Sequence, residues 1–180
     1  LAPSMLGELT VEGYPIDLSV AEQGDMTMAY ILTESGWWAV DVSNPAAPLV
    51  VYQDPSAQEL QRIATETRGD KTIAYLAKVA PDMYNSPEDG LAAIDVSDPT
   101  HSLDVGFYPM EMGGEPFLMV EDSMAYLADN YKHDLKLIDF SDPANPMLVA
   151  RATADGASIQ DASLTKDYIV VAAYYIVFFA

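Results

Sequence analysis

The 180-residue chain has no cysteine, which excludes disulfides, thiolate nucleophiles and thiolate metal sites together. Positive charge is nearly as scarce. Eight Lys and Arg stand against 28 Asp and Glu, a net charge of −20. Nucleic-acid binding needs a basic stripe to neutralise phosphates, so that class is excluded, and docking on anionic membranes is disfavoured for the same reason. No apolar run reaches the roughly 18 residues of a spanning helix, so membrane insertion is not expected. The longest, Tyr168–Ala180, is short and rich in β-branched and aromatic residues. Twelve prolines spread along the chain leave little room for long helices. The chain opens Leu-Ala-Pro without an initiator methionine, so a processed or truncated start is expected.

Half of the residues are apolar, enough for one domain with a real core. The acids are scattered through turn-like segments instead of forming one block. That describes a solvated acidic surface, and adaptation to salt or binding of multivalent cations would each account for it.

What the chain does have is a phrase stated three times: Asp-Val-Ser-Asn-Pro at 41–45, Asp-Val-Ser-Asp-Pro at 95–99 and Asp-Phe-Ser-Asp-Pro at 139–143. Each follows a short apolar run, and an Ala-Tyr pair lies upstream at 29–30, 74–75 and 125–126. One repeat of this size cannot bury its own apolar face and must stack on its neighbours. Short runs of Val, Ile, Tyr, Leu and Met alternate with clusters of Asp, Ser, Asn, Gly and Pro, which is a strand-and-turn pattern. Ala57–Thr67 has some helical character, but its place in the repeat makes it a strand.

Four units follow, at about 5–48, 49–102, 103–146 and 147–180, within a single domain spanning 1–180. Each unit is expected to hold four strands, the first at Met5–Val11, Leu49–Gln53, Leu103–Tyr108 and Met147–Thr153. Four short antiparallel strands in a repeat of this length predict an all-β fold, a β-propeller of four-stranded blades. The last unit stops after Tyr174–Phe179, so Met5–Val11 is expected to complete its blade and close a ring. A segment of a larger propeller is the alternative. The second unit carries an insertion, Val79–Gly90, with loop chemistry in Pro81, Asp82, Asn85, Ser86, Pro87, Glu88, Asp89 and Gly90. Long loops on repeat scaffolds often form the working face.

The pattern Ala-Tyr-(Val/Leu/Ile)-Ala, followed by an apolar strand and Asp-Val-Ser-(Asp/Asn)-Pro-x-x-Pro, resembles the LVIVD repeat. It runs over Ala29–Pro48, Ala74–Pro99 and Ala125–Pro146. The second copy has Ser102 in place of the closing proline. In the fourth, Ile169 and Val170 replace Ala-Tyr, and Phe179 stands where Asp belongs. The resemblance implies a propeller scaffold of secreted, cell-surface or periplasmic space. It carries over no catalytic residue.

The repeated Asp41, Ser43 and Pro45, Asp95, Ser97 and Pro99, and Asp139, Ser141 and Pro143 read as structural corners. Asp and Ser bond nearby amides and Pro fixes φ, and a catalytic set would be singular instead of copied in every unit. Hard cations such as calcium take carboxylate oxygens from loops. Asp82, Glu88 and Asp89 with Asp129 and Asp134 are the candidate ligands, although neither loop has the Gly-anchored spacing of a strong calcium motif. His101 and His133 are isolated, no Gly-x-Ser-x-Gly elbow is present, and Gly113–Gly114 is a turn signal. No cofactor is assigned beyond a possible calcium. Trp37 and Trp38 are neighbours on a strand and face opposite sides. One is expected in the core and the other on a solvent face, groove or neighbour, which makes the pair, with Tyr84, the candidate binding residues. The sequence therefore reads as a non-enzymatic scaffold or binding module for a protein or glycan partner, or for further propeller blades. The alternative is a hydrolase or lyase using the acidic loops and a divalent cation.

Overall fold

The computed structural model describes residues 2–57, 59–80, 86–114, 116–129, 132–153, 158–165, 168–173 and 176–179. Among them are fifteen strands and no helix. The strands form four antiparallel sheets in chain order. The first holds β1 (Pro15–Gln23), β2 (Met26–Thr33), β3 (Gly36–Asp41) and β4 (Leu49–Asp54). The second holds β5 (Leu60–Arg68), β6 (Lys71–Lys78), β7 (Gly90–Asp95) and β8 (Leu103–Pro109). The third holds β9 (Pro116–Glu121), β10 (Met124–Asp129), β11 (Asp134–Asp139) and β12 (Met147–Thr153). The fourth has three strands, β13 (Asp161–Leu164), β14 (Ile169–Ala172) and β15 (Ile176–Phe179). The segment at 57–67 is a strand from Leu60 onward.

Each sheet is a meander, every strand pairing with the next in sequence. The middle strands are buried on both faces because sheets stack face to face, so β3 reads as an unbroken apolar run, Trp37-Trp38-Ala39-Val40. At the first junction Tyr30, Leu32 and Trp37 pack against Ile63, Leu76 and Val96. At the second, Tyr75, Ala77 and Leu91 meet Ala125, Leu127 and Phe140. At the third, Ala128 and Leu135 meet Ile159 and Val171. Each fully buried large side chain contributes about 1.5–3 kcal/mol. The recurring tyrosines sit at these junctions. Tyr30 donates its hydroxyl to the Val96 carbonyl (3.3 Å), and Tyr75 meets Phe140 edge to face with centroids 5.2 Å apart. Tyr126 packs into the third cluster.

The sheets are offset from the sequence units by one strand. The outermost strand of each four-stranded sheet, β4, β8 or β12, comes from the start of the following unit. One expectation is corrected. Residues 2–14 form no strand and do not pair with β15, whose partner among the described residues is β14. They lie instead over the first sheet, where Val11 packs beside Trp38, Ala29 and Val40. Of the places open to the second indole, a solvent face, a groove or a neighbour, Trp38 takes the last. It is 7 % exposed, and its Nε1 donates to Thr33 Oγ1 (3.4 Å).

Candidate functional site

The β3–β4, β7–β8 and β11–β12 connections are built alike, and their chemistry positions everything near them. Asp41, Asp95 and Asp139 each accept, through Oδ1, the N–H of the serine two residues on, at 2.9, 3.0 and 2.7 Å. Val42, Val96 and Phe140 donate their N–H to the carbonyls of Thr27, Thr72 and Ser123 at the β1–β2, β5–β6 and β9–β10 hairpins. The hydroxyls of Ser43 and Ser97 accept the amides of those same Thr27 and Thr72, each at 3.0 Å. Pro45, Pro99 and Pro143 sit at the second position of turns closed by Ala47, His101 and Asn145 amides, the position whose φ proline pre-sets. The serine hydroxyl and amide hold Asp41 and Asp139 below the usual carboxylate range. Burial opposes this at Asp95, but Ser97 and the nearby Lys71 ammonium still hold it low.

Between the second and third sheets these corners leave a cleft of about 500 Å³. Its floor is apolar: Ile73, Tyr75, Val105 and Phe140. Its rim carries Glu66, Arg68, Lys71 and Asp95 from the second sheet, and Ser123 with the Ser141–Ala144 turn from the third. Both oxygens of Glu66 accept the Ser123 amide (3.2 and 3.0 Å). Arg68 bridges Glu66 and Asp122, 3.1 Å from each. Lys71 is mostly exposed, 3.9 Å from Asp95. Burial, with the Glu66 charge, pushes the Tyr75 hydroxyl up to about 12. It is therefore a neutral donor, not a base, at ordinary pH. Neither His101 nor His133 lines the cleft, so it has no paired nucleophile and imidazole base. It offers an apolar bed with fixed donors and acceptors around it, which is a binding geometry.

The residues singled out from the sequence are elsewhere. Trp37 is packed between Tyr30 and Tyr52 in the core of the first junction. Asp82 and Tyr84 lie outside the described residues. Glu88 is exposed and ion-paired with Lys78 (2.9 Å). Asp89 is buried and accepts the Ala80 amide (2.7 Å). Asp129 is buried and accepts the amides of Gly113 (2.8 Å) and Lys132 (3.1 Å). Asp134 is buried between Lys136 (2.8 Å) and Arg151 (2.6 Å). Among the described residues, no three His, Asp or Glu side chains are grouped to hold a metal ion. Sequence reasoning passed over Glu66, Arg68 and Lys71. The available signal was two of only eight bases, Arg68 and Lys71, falling three positions apart across one hairpin.

The LVIVD repeat matches residues 27–53 and 118–153. No curated protein matches the chain. Among solved structures, the computationally designed Ika4 protein superposes with a TM-score of 0.65 at 7 % identity, over 99 % of this chain and 98 % of its own. An exo-β-1,3-galactanase from Phanerochaete chrysosporium gives 0.61 at 9 % identity, over 92 % of this chain but 44 % of its own. A GH43 endo-arabinanase from Bacillus licheniformis gives 0.59 at 9 %, over 90 % and 66 %. The chain thus spans less than half the length of the galactanase it resembles, and likenesses at such identities concern the fold alone. With three similar corners, stacked meander sheets and these matches, the chain carries the LVIVD repeat in a β-propeller-type fold.

Proposed function

We propose that the chain is a non-catalytic β-propeller module of secreted, cell-surface or periplasmic space that binds a glycan partner in the cleft between its second and third sheets. The observation that carries this reading is the occupancy of the cleft's polar groups. Glu66 and Asp95 already hold amides, and no histidine stands beside them. An apolar bed rimmed by carboxylates and a guanidinium suits a sugar ring, whose C–H face packs on hydrocarbon while its hydroxyls meet charged acceptors and donors. The names of the structural neighbours, a galactanase and an arabinanase, add support for glycans as the ligand class.

The test is titration calorimetry of the 180-residue chain with galactan, arabinan and xyloglucan oligosaccharides, alongside a Lys71→Glu variant that changes an exposed rim charge. Binding weakened about tenfold in the variant fits the proposal. The absence of binding to every glycan removes it. A second reading is favoured by one observation, the likeness to glycoside hydrolases: a hydrolase or lyase assisted by a divalent cation. Released reducing ends that depend on added calcium, and vanish with a chelator, select that reading instead.

A further inference from the structure

The three packed junctions show what a sheet of this chain expects on each face. In register with the hairpins and corners, Leu18 of β1, Ile63 of β5, Leu118 of β9 and Ala162 of β13 occupy one position. Ile63 is 5 % exposed and packs on the first sheet. Leu118 packs on the second sheet and Ala162 on the third. Leu18 is 61 % exposed, and Val20 beside it is 53 % exposed. The inner half of this face is a junction surface without its sheet.

The opposite half is equally recognisable. At the first junction Asp17 Oδ2 accepts the Ile63 amide (2.9 Å), and Ser19 Oγ accepts the Thr65 amide (3.1 Å). The same Asp-x-Ser stands at those positions in the fourth sheet as Asp161 and Ser163, both exposed. Among the described residues neither reaches another sheet, and a shallow groove of about 180 Å³ runs beside them. Residues 2–14 supply a third correspondence. Gly106 of β8 lies so close to the Pro143 carbonyl of the next sheet's corner that a Cβ would collide with it, and Gly7 lies likewise on the Pro45 carbonyl. The N-terminal segment is therefore mounted where the outer strand of a preceding sheet runs. Among the described residues, no strand pairs with the far edge of β15 in the fourth sheet.

We infer that a second copy of this chain docks here, its fourth sheet covering Leu18 and Val20, with residues 2–14 of one copy adding to β15 of the other. The interface is continuous in design with the three junctions already built. Ser163 takes the Val20 amide as Ser19 takes that of Thr65, and Asp161 stands against Leu18 as Asp17 stands against Ile63. Strand addition satisfies the open edge. Within a single copy the two halves stay apart, since both are exposed. Two copies related by a twofold axis satisfy both junctions at once.

Light scattering after size exclusion tests this on the 180-residue chain, with a mass of two chains expected. Leu18→Lys and Ser163→Lys change positions exposed in a single copy, so each keeps the far-ultraviolet circular dichroism. Each weakens self-association about 100-fold, because it buries an unpaired charge. Mixing the two variants restores a pair, because one of its two junctions is then unaltered. If Leu18→Lys fails to fold, Ser163→Lys makes the same prediction from the opposite face. A single-chain mass for the unaltered protein overturns the inference, and so does a pair indifferent to both variants. A ring closed by the chain's own fourth sheet would show itself as a single-chain mass with a lowered melting temperature in both variants.

Discussion

At the scale of single residues, the corner aspartates are backbone ligands. Asp95 accepts both the amide and the hydroxyl of Ser97, and Ser97 in turn accepts the Thr72 amide. Asp95→Ala strands two donors, and the expected cost is about 1–3 kcal/mol, read from the urea midpoint. Because Asp41, Asp95, Asp98 and Asp139 all titrate below the ordinary carboxylate value in the folded chain, the unfolded chain protonates first as pH falls. Their stabilisation is therefore complete above about pH 5 and drains away below about pH 4. Urea midpoints measured from pH 7 to pH 3 should fall in that window, and Asn at 41, 95 and 139 together should flatten the curve. This chemistry was legible in the sequence, because an Asp–Ser–Pro corner acts on atoms two or three residues away. The cleft was not. Glu66 meets Ser123 across 57 positions, and no local pattern announces such a pairing.

At the scale of the strand, legibility depended on partners. The Ala-Tyr strands and the runs leading into each corner are buried on both faces, so their composition reports their state. Met5–Val11 has the composition of a strand and is not one, because a ladder needs a strand to bond to and no described strand pairs with it. Which place Trp38 takes was illegible for a related reason. Alternation along β3 separates the two indoles correctly, but Val11 arrives from outside the sheet to cover the second. Close approach between elements gives a sharp test. Gly106→Val forces β8 away from the Pro143 corner and should destabilise the fold by about 1–3 kcal/mol. Trp37→Ala, which empties the first junction of its largest side chain, should cost about 3–5 kcal/mol. Calorimetric melting of both variants checks the pair.

At the scale of the whole molecule, the net charge of −20 repels itself most strongly in the compact state. Raising salt from 0.01 M to 1 M shortens the screening length from about 30 Å to about 3 Å, so the melting temperature should rise over that range. A melting temperature indifferent to salt would show that the acids are already neutralised by their neighbours.

The one-strand offset between unit and sheet has a further consequence. Excising residues 49–102 would join Pro48 directly to Leu103, bringing β8 into the place of β4 across a corner of the same make. The splice leaves a full leaf and no orphan backbone. Genetic gain or loss of one whole unit is thus mechanically silent in the interior, and leaf number can drift by single steps while each seam stays intact.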